Sequence, residues 1–278
     1  MLFRSFDPEV QRLVNRIQPE SETRKVTDLA RTLGFNSVNF DLIYGLPRQS
    51  LESMKRTVET TISLRPDRIA LYSLAVVPWI KPAQRLFKDE DLPLPSEKRA
   101  LYELARDHLL NAGYLEIGMD HFALPEDGLA LALKEGRLHR NFMGYADLRT
   151  DVLLGLGVSA ISESPTVFHQ NEKVLPIWER KISEGTVPSL RGHKLSQEDQ
   201  HQREKILHFM TRGEISLDPS EEQDARVFLD EMLSDGLVSI QDGRLKLLSA
   251  PFLRNACSFF DLRLRRSKPD GMLFSRSI

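Results

Sequence analysis

A carboxylate stands inside an otherwise apolar run of the sequence, from Ser37 to Pro47. The run is rich in aliphatic and aromatic residues, as a strand buried in a parallel sheet should be. Because side chains alternate along a strand, Asn39, Asp41 and Ile43 share one of its faces. A buried carboxylate is unfavourable unless it is hydrogen-bonded or binds something. Asp41 therefore predicts either a ligand contact or a hydrogen bond to a loop backbone, and the sequence leaves both open.

Two further clusters contain groups that transfer protons or bind anions. Asp120 precedes His121, and Arg140 stands between His139 and Asn141. Histidine titrates near neutral pH, and arginine binds carboxylates through two parallel hydrogen bonds. His121 and Arg140 are therefore candidates for contacts with a substrate, although each cluster could equally anchor a loop. The two histidines do not have the spacing of metal ligands on one helix, so no metal site is predicted.

Helices and strands alternate around Asp41 in the manner of an α/β fold. A helix over 21–33 is expected to end at Gly34. Its apolar residues are spaced for one buried face: Val26, Leu29, Ala30 and Leu33. A helix over 50–64 and a strand from Arg68 to Val76 complete a βαβ unit. Ligands of such folds bind at the carboxyl ends of the strands, where Gly45-Leu46-Pro47 turns the chain.

A third apolar strand is predicted from Asp151 to Ser162, after a long loop from Pro78 to Pro95. This strand contains two glycines, which often mark the close approach of a ligand or of another backbone. The glycine spacing does not match the dinucleotide-binding fingerprint, because no GxGxxG opens a helix here. The sequence therefore predicts a close contact at these glycines without identifying it.

Composition narrows the class of protein. The chain has 278 residues, is 41% hydrophobic and 28% charged, and is expected to be globular with one large or two modest domains. Its net charge of −2 provides no basic field for nucleic acid or an anionic membrane. No apolar run is as long as a membrane span and no signal-peptide pattern is present, so a cytoplasmic location is expected. The one cysteine, Cys257, permits no internal disulfide and cannot hold an iron–sulfur cluster alone.

The character of the sequence changes near Lys194. Two helices are predicted, from Ser196 to Arg212 and over about 219–235, followed by a hairpin that turns at Asp242-Gly243 and a last helix over 251–266. Helix, helix and hairpin in this order are typical of a winged-helix domain. From Lys194 onward 13 lysines and arginines stand against 14 acidic residues, so binding to DNA is not expected.

Five motifs of this sequence are similar, in the same order, to motifs of the oxygen-independent coproporphyrinogen III oxidases, a radical S-adenosylmethionine family. They are Phe6–Arg16, Asp41–Pro47, Gly118–Ala123, Leu138–Phe142 and Gly155–Ser162. The resemblance implies an α/β fold in which 6–192 form the C-terminal part of a partial TIM-like radical S-adenosylmethionine barrel. It also implies a helical, winged-helix-like C-terminal domain over 193–278.

The resemblance implies a function. The family decarboxylates two propionates of coproporphyrinogen III to vinyl groups in anaerobic haem biosynthesis, using a 5′-deoxyadenosyl radical. The residues that match family contacts with S-adenosylmethionine are Arg16, Asp41, Ala75 and Ile161. Arg16 would bind the carboxylate, Asp41 the ribose hydroxyls or the ammonium group, and the other two the adenine. A porphyrinogen is the implied substrate, with His121 and Arg140 as the candidates to contact it.

The chain departs from the family near its start. The family has a Cys-x3-Cys-x2-Cys motif that binds a 4Fe–4S cluster, and this sequence does not contain it. Met1 to Ser5 do not match the family and are expected to be foreign sequence at a truncation or an internal start. The isolated chain is then expected to lack radical chemistry, to leave the strand Val38–Tyr44 without a neighbour on one side and to self-associate, whereas an intact family member is expected to be monomeric.

Two other functions remain open from the sequence. One is a stand-alone porphyrin-binding or carrier protein that reuses the same shell. The other is a winged-helix interaction module with an α/β partner domain.

Overall fold

The computed structural model describes residues 2–79 and 82–266, with side chains for 5–79 and 84–266. The described residues form two compact units, 2–134 and 135–266. The division into domains 6–192 and 193–278 stays a prediction, and its boundary falls inside the second of these units.

The first unit is built around a five-stranded sheet. Its elements are β1 (Leu2–Arg4), α1 (Pro8–Leu13), α2 (Glu20–Thr32), β2 (Asn39–Tyr44), α3 (Leu51–Leu64), β3 (Arg68–Ser73), α4 (Pro95–Asn111), β4 (Leu115–Gly118), β5 (His121–Ala123) and α5 (Gly128–Lys134). Short 3-10 helices over Pro82–Leu86 and Asp89–Asp91 lie in the predicted long loop. The strand order is β1-β2-β3-β5-β4. Strands β1, β2 and β3 are parallel, and β5 is antiparallel to both of its neighbours, so the predicted βαβ unit is confirmed.

Local sequence signals set the helix ends in this unit. Asp7 accepts hydrogen bonds from the first backbone N–H groups of α1, and Pro8 occupies the first helical position. Ser50 caps α3 by accepting a hydrogen bond from the backbone N–H of Ser53 at 3.1 Å. Gly34 follows α2 with a φ of +84°. The helix end predicted at Gly34 and the helix start predicted at Ser50 are confirmed.

The core of the first unit lies on one face of the sheet, against α3 and α4. Alternate residues of the strands supply it: Phe40, Leu42, Ile69, Leu71 and Phe122 are all fully buried. The helices contribute Met54, Val58, Leu101 and Leu109 to the same cluster. The other face of the sheet therefore carries the alternate set of side chains, which includes Asp41.

The predicted buried face of α2 is wrong except at Ala30, which is partly buried against the core. Val26, Leu29 and Leu33 are 45%, 52% and 67% exposed, whereas Thr23 and Thr27 are buried. Each residue turns a helix by about 100°, so the buried threonine row lies beside the apolar row rather than on it. The Thr27 hydroxyl donates to the Thr23 carbonyl at 2.8 Å, and this hydrogen bond lets a polar side chain be buried.

The expectation that β2 lacks a neighbour on one side is also wrong. Strand β1 pairs with it in parallel, with Leu2 beside Asp41 and Arg4 beside Leu42. Ser5, which follows β1, is buried, and its carbonyl accepts a hydrogen bond from Gln11 Nε2 at 2.7 Å. Although residues 1–5 match no family motif, residues 2–5 are thus part of this sheet and its surroundings.

The second unit combines small antiparallel sheets with helices. Its elements are β6 (His139–Asn141), β7 (Gly144–Ala146), β8 (Ile161–Glu163), β9 (Val167–Asn171), α6 (Leu175–Ser183), β10 (Ser189–Lys194), α7 (Gln197–Arg212), β11 (Glu214–Ser216), α8 (Pro219–Phe228), α9 (Asp230–Ser234), β12 (Val238–Gln241), β13 (Arg244–Leu247), α10 (Leu253–Cys257) and α11 (Leu262–Arg266). The strands form a β6–β7 pair and the sheets β10-β9-β8 and β11-β13-β12.

The predicted strand from Asp151 to Ser162 is mostly absent from the described structure. Only Ile161–Glu163 is a strand there, and Leu153 makes a single bridge to Glu163. Gly155 lies so close to the backbone of Ile161 that a Cβ atom would stand 2.5 Å from its carbonyl oxygen. Of the two alternatives for this glycine, the structure therefore shows the approach of another backbone, and that contact replaces the regular strand.

The helix–helix–hairpin segment has the predicted form, with two exceptions. The second helix, predicted as continuous over about 219–235, is interrupted at Leu229 between α8 and α9. Ser196 caps α7, and Asp242 and Gly243 turn the β12–β13 hairpin with φ values of +49° and +69°. The last helix, predicted as continuous over 251–266, is instead broken into short helical pieces around α10 and α11. In the part of the chain that the structure describes, no helix has the length and apolar character needed to cross a membrane.

Candidate functional site

A polar row crosses the sheet of the first unit on the face opposite the core. Asp41 of β2 pairs in register with Ala70 of β3, and Ala70 pairs in register with His121 of β5. Side chains of directly paired residues point to the same side of a sheet, so Asp41 and His121 share this face. Asp41 and His121 are separated by two strand spacings, or roughly 10 Å. Only the methyl group of Ala70 lies between them on this face.

Asp41 is half-buried, and its Oδ1 accepts a hydrogen bond from the Asn39 side-chain amide at 2.7 Å. Asn39 lies two residues earlier on the same strand and therefore on the same face. Among the described residues no loop backbone N–H donates to Asp41, so the loop-anchoring alternative is not what the structure contains. The neighbouring amide orients one oxygen of the carboxylate, and the other oxygen keeps its capacity to accept from a ligand.

His121 is buried at the other end of the row, with 8% of its surface exposed. Its ring meets the ring of Tyr72 edge to face, with centroids 6.0 Å apart. Tyr72 lies two residues after Ala70 on β3, so it belongs to the same face. This aromatic contact orients the imidazole at the row.

Ala75 lies at the carboxyl edge of the parallel strands. The Leu74 N–H donates to the Tyr44 carbonyl at 2.9 Å, so the chain leaves β3 alongside the last residue of β2. Ala75 is exposed, and its carbonyl accepts from the Gln84 side-chain amide at 2.8 Å. This is the edge at which α/β folds bind ligands, as the sequence predicts.

Lys98 of α4 reaches the same edge and was missed by the sequence analysis. Its Nζ donates to the Leu74 carbonyl at 3.3 Å, and burial lowers its pKa. Gly45 leaves room for it, because a Cβ atom there would stand 2.7 Å from the lysine side chain. Gly45 also has a φ of +80°. The Gly-Leu-Pro turn is the sequence signal that marks this spot, but it does not indicate which side chain fills it.

Arg16 follows α1 in the first unit and is half-buried. The preceding residue, Asn15, has a φ of +49°, and the Arg16 N–H donates to the Gln11 carbonyl at 2.8 Å. This turn fixes the backbone at Arg16. The contact of its guanidinium with a ligand stays a prediction.

A second feature missed from the sequence is the pair of Arg68 and Asp127. Arg68 Nε lies 2.7 Å from Asp127 Oδ1, and the carboxylate is buried. The Ser37 hydroxyl donates to the other carboxylate oxygen at 2.8 Å. Arg68 pairs in register with Asn39, so it lies on the polar face, next to the row. Nothing in the local sequence links residues 68 and 127, which are far apart along the chain.

The remaining predicted residues, Arg140 and Ile161, lie in the second unit. The guanidinium of Arg140 stacks over the ring of Tyr145 at 4.7 Å from its centroid. The pKa of the adjacent His139 is lowered, first by burial and then by the charge of Arg149. Ile161 is half-buried on β8 and pairs with Gln170. The structure thus brings Asp41 and His121 onto one face in the first unit and holds Arg140 and Ile161 in the second.

Neither the polar face of the first unit nor the surroundings of Arg140 and Ile161 in the second unit contain a set of metal ligands among the described residues. Within residues 2–79 and 82–266, no group of three histidine, cysteine, aspartate or glutamate side chains is arranged to hold a metal ion. Cys257 is buried, and burial raises the pKa of its thiol to about 12. A thiol in this state is a poor ligand, because metals bind the thiolate.

Comparison with known proteins identifies relatives of the chain. No protein-family model matches it. The oxygen-independent coproporphyrinogen III oxidase of Synechocystis is 37% identical over 289 residues, and the enzyme of that name from Escherichia coli is 39% identical over 285 residues. Each alignment covers 98% of this chain and 62% of the relative. A solved structure of coproporphyrinogen III oxidase from Escherichia coli, described as a radical SAM enzyme, matches with a TM-score of 0.87.

That solved structure is 38% identical, and the match covers 95% of this chain and 64% of the other. The likeness confirms the predicted α/β fold class of the radical S-adenosylmethionine enzymes. The chain spans about 62% of the length of the curated relatives just named. Over 98% of its own length, it is homologous to the oxygen-independent coproporphyrinogen III oxidases, and the resemblance predicted from its five motifs is confirmed.

Proposed function

We propose that this chain forms the larger part of an oxygen-independent coproporphyrinogen III oxidase, an oxidoreductase of anaerobic haem biosynthesis. Its substrate would be a porphyrinogen whose propionate side chains lose carbon dioxide to become vinyl groups. The observation that carries the proposal is the position of Asp41, a family-matched carboxylate on the polar face of a sheet whose other face is the core.

The residues of the first unit fit S-adenosylmethionine, which supplies the hydrogen-abstracting chemistry of the family when it is bound. Asp41 has an oxygen able to accept from hydroxyl or ammonium groups, and Asn39 keeps the carboxylate in place. Ala75 offers a small side chain at the carboxyl edge, where a flat adenine can approach the backbone. Arg16 is the proposed partner of the carboxylate of the ligand, and Ile161 of the second unit is a further proposed contact with it.

A 4Fe–4S cluster does not fit the residues of this chain. Such a cluster needs several thiolates, whereas the sequence has one cysteine, which is buried with a raised pKa. The cluster ligands of a working oxidase would therefore have to come from residues that this sequence does not contain.

His121 and Arg140 are the proposed contacts with the porphyrinogen. An imidazole can hold or move a proton at a pyrrole nitrogen or a propionate oxygen. A guanidinium can hold a propionate carboxylate through two hydrogen bonds. Both residues lie in motifs that match the family, and neither role follows from the fold alone.

The proposal is tested by restoring a complete oxidase. The region of the Escherichia coli relative that this chain does not span is fused to the N-terminus of this chain, and the product is reconstituted anaerobically with iron and sulfide. We expect the fusion to form 5′-deoxyadenosine and to decarboxylate coproporphyrinogen III, and neither part alone to do so. A folded fusion that binds the iron–sulfur cluster and coproporphyrin but not S-adenosylmethionine would contradict the oxidase and favour a carrier.

A further inference from the structure

A cavity of about 460 Å³ lies entirely within the second unit, between β6, the β8–β9 strands, α7 and residues 260–266. A volume of this size holds a drug-sized ligand or a large part of one. Aromatic and aliphatic side chains form much of its wall: Phe142, Phe168, Leu207, Met210 and Phe260. The cavity therefore favours a ligand with an apolar body.

Three of the arginines that line the cavity are neutralised by carboxylates. Arg203 forms an ion pair with Glu163, and its guanidinium also lies over the ring of Phe168 at 4.9 Å. At the rim, the other two pairs are Arg263 with Asp199 and Arg266 with Glu198, both at 2.8 Å. The positive charges of these three arginines are therefore balanced by carboxylates of the protein and attract a further anion only weakly.

Arg140 differs from the other three arginines. Its Nη1 is buried and has no hydrogen-bond partner among the described residues. Its guanidinium is held against the ring of Tyr145, whose hydroxyl donates to the Met210 carbonyl at 2.9 Å. A buried N–H donor of a charged group that has no acceptor destabilises the protein. This cost exceeds the net stabilisation that one hydrogen bond usually provides. A ligand that brings an acceptor to Nη1 would remove this penalty, and Arg140 lines the cavity in which that ligand would lie.

We propose that this cavity binds an apolar ligand through one carboxylate, with Arg140 as its anchor. The single unsatisfied guanidinium matches a singly charged carboxylate, which it can hold in a bidentate manner. For the identity of the ligand the inference rests on the proposed function, under which the carboxylate is a propionate of the porphyrinogen.

Binding to the full chain tests this inference. The probes are coproporphyrin III, followed by its fluorescence, together with octanoate and octan-1-ol, followed by calorimetry. The variants are Arg140→Gln and, as the matched control, Arg180→Gln, whose side chain is 66% exposed on α6 and does not line the cavity. We expect Arg140→Gln to raise the dissociation constants of coproporphyrin III and octanoate by at least about tenfold. Octan-1-ol should bind both variants as it binds the parent chain.

A second variant and a stability readout separate anchoring from folding. Leu207→Trp should fill the cavity and weaken both carboxylates while Arg140 stays in place. Arg140→Gln should melt no earlier than the parent chain, because it removes a buried charge whose Nη1 has no acceptor. If the Arg140→Gln substitution unfolds the chain, the Leu207→Trp variant tests by itself whether the cavity binds the carboxylates. Unchanged carboxylate binding by a folded Leu207→Trp variant would overturn the inference.

The remaining outcomes distinguish this inference from the proposed function. Binding of octanoate that needs Arg140, with no binding of coproporphyrin III, supports the cavity site and contradicts the oxidase. Binding of coproporphyrin III that is unchanged in Arg140→Gln overturns the cavity site and leaves the oxidase standing. Binding of neither carboxylate also overturns the cavity site.

Discussion

Asp41 and His121 stand in one row across the sheet of the first unit, each in register with Ala70. Sheets of parallel strands are usually apolar on both faces, because helices cover both. Here the face with Phe40 and Leu42 forms the core, while the row with Asp41 departs from that preference. Such departures from local consistency are expected where a protein binds something, and the first prediction concerns this row.

Replacing Asp41 by alanine should weaken binding of S-adenosylmethionine to the fusion protein described above. The loss of a charged hydrogen-bond partner corresponds to about 1–3 kcal/mol, or roughly 5- to 150-fold in the dissociation constant measured by calorimetry. Asp107→Ala is the control, because that carboxylate is 67% exposed on α4. Equal affinities in the two variants, with equal melting temperatures, would remove Asp41 from the binding site.

The second prediction concerns Cys257. Incubated with iron and sulfide, the 278-residue chain should develop no cluster absorbance and form no 5′-deoxyadenosine. The reason is that its single thiol is buried with a pKa raised to about 12, so almost none of it is thiolate at neutral pH. An alkylating reagent should accordingly react with Cys257 only after denaturation. Rapid alkylation of the native chain, or deoxyadenosine above the level of a control without protein, would contradict this.

The third prediction concerns the pH dependence of stability at His139. Burial lowers its pKa, and the charges of Arg149 and Arg203 lower it further, while Glu163 acts in the opposite direction. As the pH falls below about 6.5, the unfolded chain takes up a proton that the folded chain does not yet bind. The free energy of unfolding should therefore fall from about pH 6.5 down to the lowered pKa, and change no further through this group below it.

Urea unfolding at several pH values between 7.5 and 5 measures this effect. His139→Gln should lose this component of the pH dependence, whereas His201→Gln, at an exposed position on α7, should keep it. Parallel curves for the parent chain and His139→Gln would show that His139 does not titrate differently in the folded and unfolded states.

Much of the fold could be predicted because its signals are local. Ser50 marks the start of α3, Ser196 that of α7, and Asp242-Gly243 the hairpin, and each acts on its immediate neighbours. Register also followed from alternation, which placed Asn39 and Asp41 on one face. The predictions that failed depend on contacts that periodicity does not encode. Apolar periodicity over 151–162 could not indicate that the backbone of Ile161 fills the space beside Gly155.

The candidate site was predictable only in part, for the same reason. Asp41 was found because a carboxylate in an apolar strand conflicts with its surroundings. Lys98, which reaches the carbonyl of Leu74 from α4, and the pair of Arg68 with Asp127 give no such conflict locally. Ion pairs and contacts of this kind arise from tertiary packing, and a single sequence carries no mark of which side chains will meet.

The last prediction concerns the exposed apolar face of α2, formed by Val26, Leu29 and Leu33 and extended by Phe35, which is 62% exposed. Residues three and four apart on a helix lie side by side, so these side chains form one continuous patch. Contiguous exposed apolar patches favour association. We expect the isolated chain to self-associate through this face, and the double variant Leu29→Glu with Leu33→Lys to shift it towards the monomer.

The two new charges lie four residues apart, with the glutamate before the lysine, which is the favourable order. The free energy of unfolding should therefore change by no more than about 0.5 kcal/mol. Val227→Lys, at a 78% exposed position on α8, is the control and should leave association unchanged. Sedimentation velocity over a range of protein concentrations measures the outcome. A parent chain that stays monomeric throughout that range, or a double variant that associates as strongly as the parent, would show that this face does not join copies of the chain.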